Sequence, residues 1–400
     1  MTGWTFPAFV GLLGGGLLFF AVLVPIVVVQ SRRYGRVSVA RTLGAAAVSV
    51  YAVALAAYTF LPLPQVIEQC SPAQWVPLHS FDDIARETEG LSITGVLTSR
   101  ATLQVVYNVA LFVPLGVIAR RYWHRGIVVS TLIGAAVSLL IETTQLTGIF
   151  GIYPCAFRVA DVDDLLANTL GALIGALIAP LLLWWMPSAA RLERERGFAR
   201  PVTVWRRWLA MLIDVVLYGA ISTLLGIAVR VAQLLLSGDR ATIAAPSVPE
   251  ALLVGLAPLV VFVVAALQGS GASPGQRAMW LEPRWRGAAG AAGAPDEASE
   301  GVAVGVRGTA ARRLVRALTG MGAFAVGQAA DALSDAVTDQ RLVLALGAVF
   351  ALATLVVVLS ALSVLWTRER RGLSYAIAGA DLVDPRPRPA AQPGLRPTRP

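Results

Sequence analysis

Apolar residues run along this chain in long unbroken blocks, and charged residues collect between the blocks. A helix needs about 20 apolar residues to cross a bilayer. On that measure the pattern predicts nine spans: 8–29, 42–62, 103–119, 127–146, 164–186, 208–230, 250–268, 314–333 and 342–366. The third is short, and glycines and "GQ" interrupt the eighth. The expected fold class is all-α, a polytopic transmembrane helical bundle in two sub-bundles. Residues 1–186 form a five-span domain and 187–207 a charged inner linker. Residues 208–384 form a four-span domain, and the Pro- and Arg-rich stretch 385–400 is a disordered tail. A Gly/Ala-rich stretch at 287–306 reads as a flexible insertion.

Composition agrees with the pattern. Hydrophobic residues make up 56% and charged residues 14% of the chain. A soluble domain carries about 25% charged residues. All 33 basic residues are arginine, which reads as a compositional bias of the genome. The net charge of +9 would suit nucleic acid, but the arginines sit in loops, where they orient membrane proteins. No nucleic-acid partner is expected. With the N-terminus outside, inner loops and tail hold 26 arginines. The outer loops hold only Arg86, Arg100, Arg158, Arg240 and Arg341. That bias predicts an outside N-terminus and a cytoplasmic C-terminus. The first apolar run has no basic n-region and no small-residue cleavage site, so it reads as a retained span.

Cys70 and Cys155 both fall in predicted outer loops. An oxidising compartment permits a disulfide there; two free thiols are the alternative. His79 and His124 stand alone in the sequence, and no Cys/His spacing suits a metal. The glycines of the first span read as packing. No phosphate loop or nucleophile elbow occurs, so no cofactor is expected.

The chemistry concentrates in three spans of the first half. Asp161, Asp164, Asn168, Gly171 and Gly175 fall at offsets 0, 3, 7, 10 and 14, one stripe of a helix. Gly134, Ser138, Glu142 and Gln145 fall at offsets 0, 4, 8 and 11, again one face. Asn108 opens "NVALFVPLG", where Pro114 relaxes the helix. The glycine ends of the stripes suit close helix packing, and the acidic ends share one membrane surface. Intramembrane carboxyls are costly and so mark functional candidates. Arg158 is the expected carboxylate partner inside the set, and Asp163 the expected helix cap. Two readings stay open: a ligand site, or an ion-pair network holding three helices together. In the second half, "RRWLAMLID" places Arg207, Ala210 and Asp214 on one face, with Asp214 two turns deeper. Helix orientation and transport are both compatible with that pair.

"NVALFVPLG", "IETTQ" and "RVADVDDLLANTLGALIG" resemble, in order, the motifs of the VanZ-like family. "WVPLHSF" resembles its Pro-Phe segment, with Leu78 where Phe is usual. The resemblance covers about 40–186. It implies a bacterial plasma-membrane protein of the cell envelope, in a family associated with resistance to teicoplanin-type glycopeptides. "RRWLAMLID", "GSGASPGQRAMWLEP" and "RRGLSYAIAGADLV" resemble the RDD family over about 203–383, with Ser374 and Tyr375 where His-Asp is common. The leading expectation is an outer site of Asn108, Glu142, Gln145, Arg158, Asp161, Asp164 and Asn168. It would engage a lipid-linked cell-wall component or a glycopeptide, among membrane lipids. The alternatives are an enzyme using Glu142, Asp161 and Asp164 as acid and base, and an RDD-type transporter using Arg207 and Asp214.

Overall fold

The computed structural model describes residues 5–67, 69–237, 247–285 and 308–388. The 287–306 insertion, Arg240 and the tail from 389 onward lie outside the described residues. The chain divides into two compact units. One is Met1–Ile26 with Val37–Arg191; the other is Val27–Arg36 with Leu192–Pro400.

In the first unit, α1 (Thr5–Tyr34) and α2 (Val39–Phe60) precede a loop containing β1 (Ala73–Gln74). Two short helices follow, α3 (His79–Glu87) and α4 (Ile93–Thr98). Next come α5 (Arg100–Val117), a π turn at Ile118–Tyr122 and α6 (Ile127–Leu146). A single turn, α7 (Gly148–Gly151), has Ile149 and Phe150 at φ of 56° and 53°. β2 (Ala160–Asp161) pairs in parallel with β1 and leads into α8 (Val162–Leu182). Helices α5, α6 and α8 pack through backbone. A Cβ on Gly171 would lie 2.1 Å from Val109 O, and one on Gly175 2.0 Å from Val113 O. A Cβ on Gly134 would lie 2.2 Å from Ala172 Cβ. Both predicted stripes therefore face protein, and their small ends are where helices meet. Leu55, Phe112, Leu115 and Ile141 form the apolar core beside them.

The second unit holds half of α9 (Ala189–Arg194), which straddles the division, and α10 (Val204–Ser237). α10 takes up the last residues of the expected linker. Then come α11 (Val248–Leu256), α12 (Leu259–Leu267), α13 (Pro274–Ala278) and β3 (Glu282–Trp285). After the insertion come α14 (Ala310–Ala317), a π turn at Leu318–Gly322, α15 (Ala323–Ala336) and α16 (Gln340–Leu362). α17 (Leu373–Ala378) and β4 (Ala380–Val383) close the described part, with β4 antiparallel to β3. Tyr218, Phe262 and Ala325 form its apolar core.

Among the described residues eight helices, against nine expected spans, are long and apolar enough by length and composition to cross a membrane. The departure is the expected span at 314–333, which is the π-broken run Ala310–Ala336. α15 meets α11 where a Cβ on Gly255 would lie 2.6 Å from Ala329 Cα, and α16 where one on Gly327 would lie 3.1 Å from Ala353 Cβ. Two apolar neighbours cover it, so its own surface need not be apolar. The expected tail also starts too early. Arg386 is buried and donates to Asp384, to Arg196 O (2.6 Å) and to Gly35 O (3.2 Å).

Candidate functional site

The charged N-terminal end of α8 is built from backbone donors that need acceptors. A helix start leaves N–H groups without intrahelical partners. Asp161 is the N-cap, and its Oδ1 accepts from Asp163 N at 2.8 Å. This reverses the expected roles, because Asp163 was the expected cap. Instead Asp163 is buried and reaches across to the start of α3, accepting from Leu78 N (2.6 Å) and Ser80 N (2.7 Å). Asp161 lies just ahead of the span. Burial pushes its carboxyl above the ordinary range, and the hydrogen bond from Asp163 N offsets this only in part.

Three helices converge beside that cap. From α5, Asn108 Nδ2 donates to Asp164 Oδ1. Gln104, one turn earlier on α5, lies beside Asp164. From α6, Glu142 Oε2 accepts from Asp161 N at 3.0 Å. Deeper, Asn168 Nδ2 donates to Ser138 Oγ at 2.9 Å, while its buried Oδ1 has no partner. The structure thus brings Asn108, Glu142, Asp161, Asp164 and Asn168 together, and adds Gln104. Gln104 was legible in principle, since it lies four residues before Asn108 on the same face.

Arg158 and Gln145 do something else. Arg158 Nη1 donates to Thr59 O (3.0 Å) and Nη2 to Leu61 O (3.1 Å). Gln145 Nε2 donates to the same Thr59 O at 3.0 Å. The expected pairing of Arg158 with carboxylates does not form. The end of α2 leaves carbonyls without partners, and the guanidinium supplies them. The carboxylate cluster is left without a bound cation among the described residues.

The surrounding loops are held in place. A disulfide joins Cys70 to Cys155, and Ser71 N donates to Ala156 O at 2.9 Å. Glu87 accepts from Arg100 N and Ala101 N, both at 2.9 Å, so α3 also caps α5. Between α3 and α5 an open cleft of about 470 Å³ is lined by Asp83, Arg86, Glu87, Arg100, Ala101 and Gln104. Gln104 therefore touches both the cleft and Asp164. His79 is not isolated: it faces Asp82 (3.9 Å) and Asp83 (3.7 Å).

In the second unit, Arg207, Ala210 and Asp214 are all buried on one face of α10. Asp214 accepts from Ser273 Oγ (2.5 Å) and Gly275 N (2.7 Å). Arg207 Nη2 donates to Arg371 O at 2.9 Å, and its guanidinium lies over the Tyr375 ring. The pair shares a face but makes no ion pair.

Comparison with known families follows the same division. The VanZ/LLP1 family model matches residues 48–183, and the RDD family model matches residues 201–284. No curated protein and no solved structure matches the chain. The RDD match stops short of 312–320 and 370–383, yet the fold returns those segments to it. β4 pairs with β3, and Tyr375 Oη donates to Gln276 Oε1 at 2.7 Å. The chain is a multi-pass membrane protein in which an N-terminal VanZ-like segment is joined to a C-terminal RDD-family segment.

Proposed function

We propose that the VanZ-like unit is an envelope receptor whose outer-face site engages a lipid-linked cell-wall precursor or a teicoplanin-type glycopeptide. The observation that carries this reading is the continuity of cleft and core. Gln104 lines the open cleft and lies beside Asp164, which belongs to the three-helix acid–amide set. Amides and carboxylates suit the hydroxyl and N–H groups of sugars and peptides. Arg86 and Arg100 at the cleft suit phosphate oxygens. The inner excess of arginine supports an outside N-terminus and a cytoplasmic C-terminus in a bacterial plasma membrane.

The test is binding of a polyprenyl-pyrophosphate-linked cell-wall precursor, and of a teicoplanin-type glycopeptide, to purified protein. Asp164→Asn is expected to weaken binding of one of them by about 10-fold or more, the value of a lost charged hydrogen bond. Unchanged affinity for both ligands in a folded variant would sink the reading. A second reading, acid–base chemistry on such a substrate, is favoured by one observation. Among the described residues Glu142 accepts a single backbone bond and faces no cation, so one of its oxygens is left to a substrate. Conversion of the precursor by wild type and not by Glu142→Gln would establish it. The RDD transport reading draws no such support, because both Asp214 oxygens are already engaged.

A further inference from the structure

The polar core of the RDD-family unit does not balance its charge. Three arginines are buried there: Arg207 on α10, and Arg313 and Arg316 on α14. Among the described residues one buried carboxylate, Asp214, faces Arg207 and Arg316. Its oxygens are held by Ser273 and Gly275, not by a guanidinium. The arginines are served by neutral acceptors. Arg313 donates to Gly308 O and Leu267 O, Arg316 Nη2 to Gly271 O at 2.5 Å, and Arg207 Nη2 to Arg371 O.

Carbonyl oxygens satisfy N–H groups but bring no net negative charge. A guanidinium does not shed its proton in a protein, so the burial penalty is not escaped by neutralisation. The Tyr375 ring lies near both cations, 4.8 Å from Arg207 Cζ and 5.4 Å from Arg316 Cζ. A ring face attracts cations only weakly compared with a carboxylate. Three buried nitrogens remain without any partner: Arg207 Nε, Arg207 Nη1 and Arg316 Nε. Two of the three belong to a side chain that is 1% exposed.

We propose that Arg207 and Arg316 together hold one small anion, a halide or an oxyanion, beside Tyr375. The anion supplies the charge that residue 375 does not. Its source is either a free inorganic ion or the phosphate of an anionic lipid headgroup. A carboxylate at position 375 would stand next to both guanidiniums and make the external anion redundant.

The test uses the full chain in an uncharged detergent, with gluconate as the only starting anion and ionic strength held constant. The thermal unfolding midpoint is followed as gluconate is replaced by chloride, by inorganic phosphate, or as phosphatidylglycerol is added. The midpoint is expected to rise and saturate with at least one of the three. A response to chloride or phosphate assigns a free ion, and a response to phosphatidylglycerol alone assigns the headgroup. Tyr375→Asp and Arg316→Gln should each raise the half-saturating concentration by about tenfold or more. A wild-type midpoint that responds to none of them overturns the proposal, whether or not the variants fold. So does an unchanged half-saturation in whichever variant folds.

Discussion

The two units place their charge in opposite ways. In the VanZ-like unit, Glu142, Asp161, Asp163 and Asp164 gather, while the nearby Arg158 spends itself on the carbonyls of Thr59 and Leu61. In the RDD-family unit, Arg207 and Arg316 face one buried carboxylate, Asp214. Yet the immediate partner is the same kind in both. Carboxylates accept from backbone N–H at helix starts, and guanidiniums donate to backbone carbonyls where helices end. At both sites charged side chains serve broken backbone, and the sign left over differs. That leftover sign is what a ligand would meet.

The comparison can be broken most sharply at Asp384. It is the carboxylate on which Arg206 (3.0 Å) and Arg386 (2.7 Å) converge. Asp384→Ala should lower stability by about 3–5 kcal/mol, because two poorly exposed guanidiniums lose their counter-charge; chemical unfolding measures it. The pH dependence has a definite sign. Burial alone would raise the Asp384 carboxyl, but hydrogen bonds from Arg386 and Arg200 N and the charge of Arg206 outweigh it and hold it below the usual range. Its contribution is therefore full above the ordinary carboxylate pKa and is lost as pH falls through the lower folded value. Asp384→Asn should remove that acid limb.

The next effect belongs to the other unit. Cys70→Ser opens a link between residues 85 apart in sequence and should cost about 2–4 kcal/mol. The same loss should follow reductant in wild type and not in the variant. Asp163→Ala removes the acceptor of Leu78 N and Ser80 N, at about 1–3 kcal/mol. Hydrogen exchange should quicken at those amides and stay unchanged in the RDD-family unit. The smallest effect is expected at Glu142→Gln, under about 1 kcal/mol, because a side-chain carbonyl still accepts from Asp161 N. A large loss there would turn the acidic set from a ligand site into a structural network.

The helices and their buried stripes were legible because periodicity records what faces protein. Gly171, Gly175, Gly134 and Ser138 lie where their spacing placed them. The membrane class was legible from length and apolarity alone. Partners across the chain were not. Nothing in the identity of Arg158 distinguishes a carboxylate partner from a carbonyl, and no spacing links Asp163 to residues 85 and 83 positions earlier. The π break in the run Ala310–Ala336 and its cover by neighbours were not legible, because enclosure, invisible in sequence, relaxes the demand for an apolar surface.

The backbone contact between α5 and α8 has a mechanical consequence. With Gly116, Gly171 and Gly175 set against carbonyls, neither helix has side chains to repack, so neither can slide without opening voids or clashes. The pair is a stiff seat. The parts free to adjust are α3 and α4, which bury no residue of their own; α3 is fastened at its ends by Asp163 and Glu87. Occupancy of the cleft would then register as a tilt of this cover, not as a rearrangement of the spans.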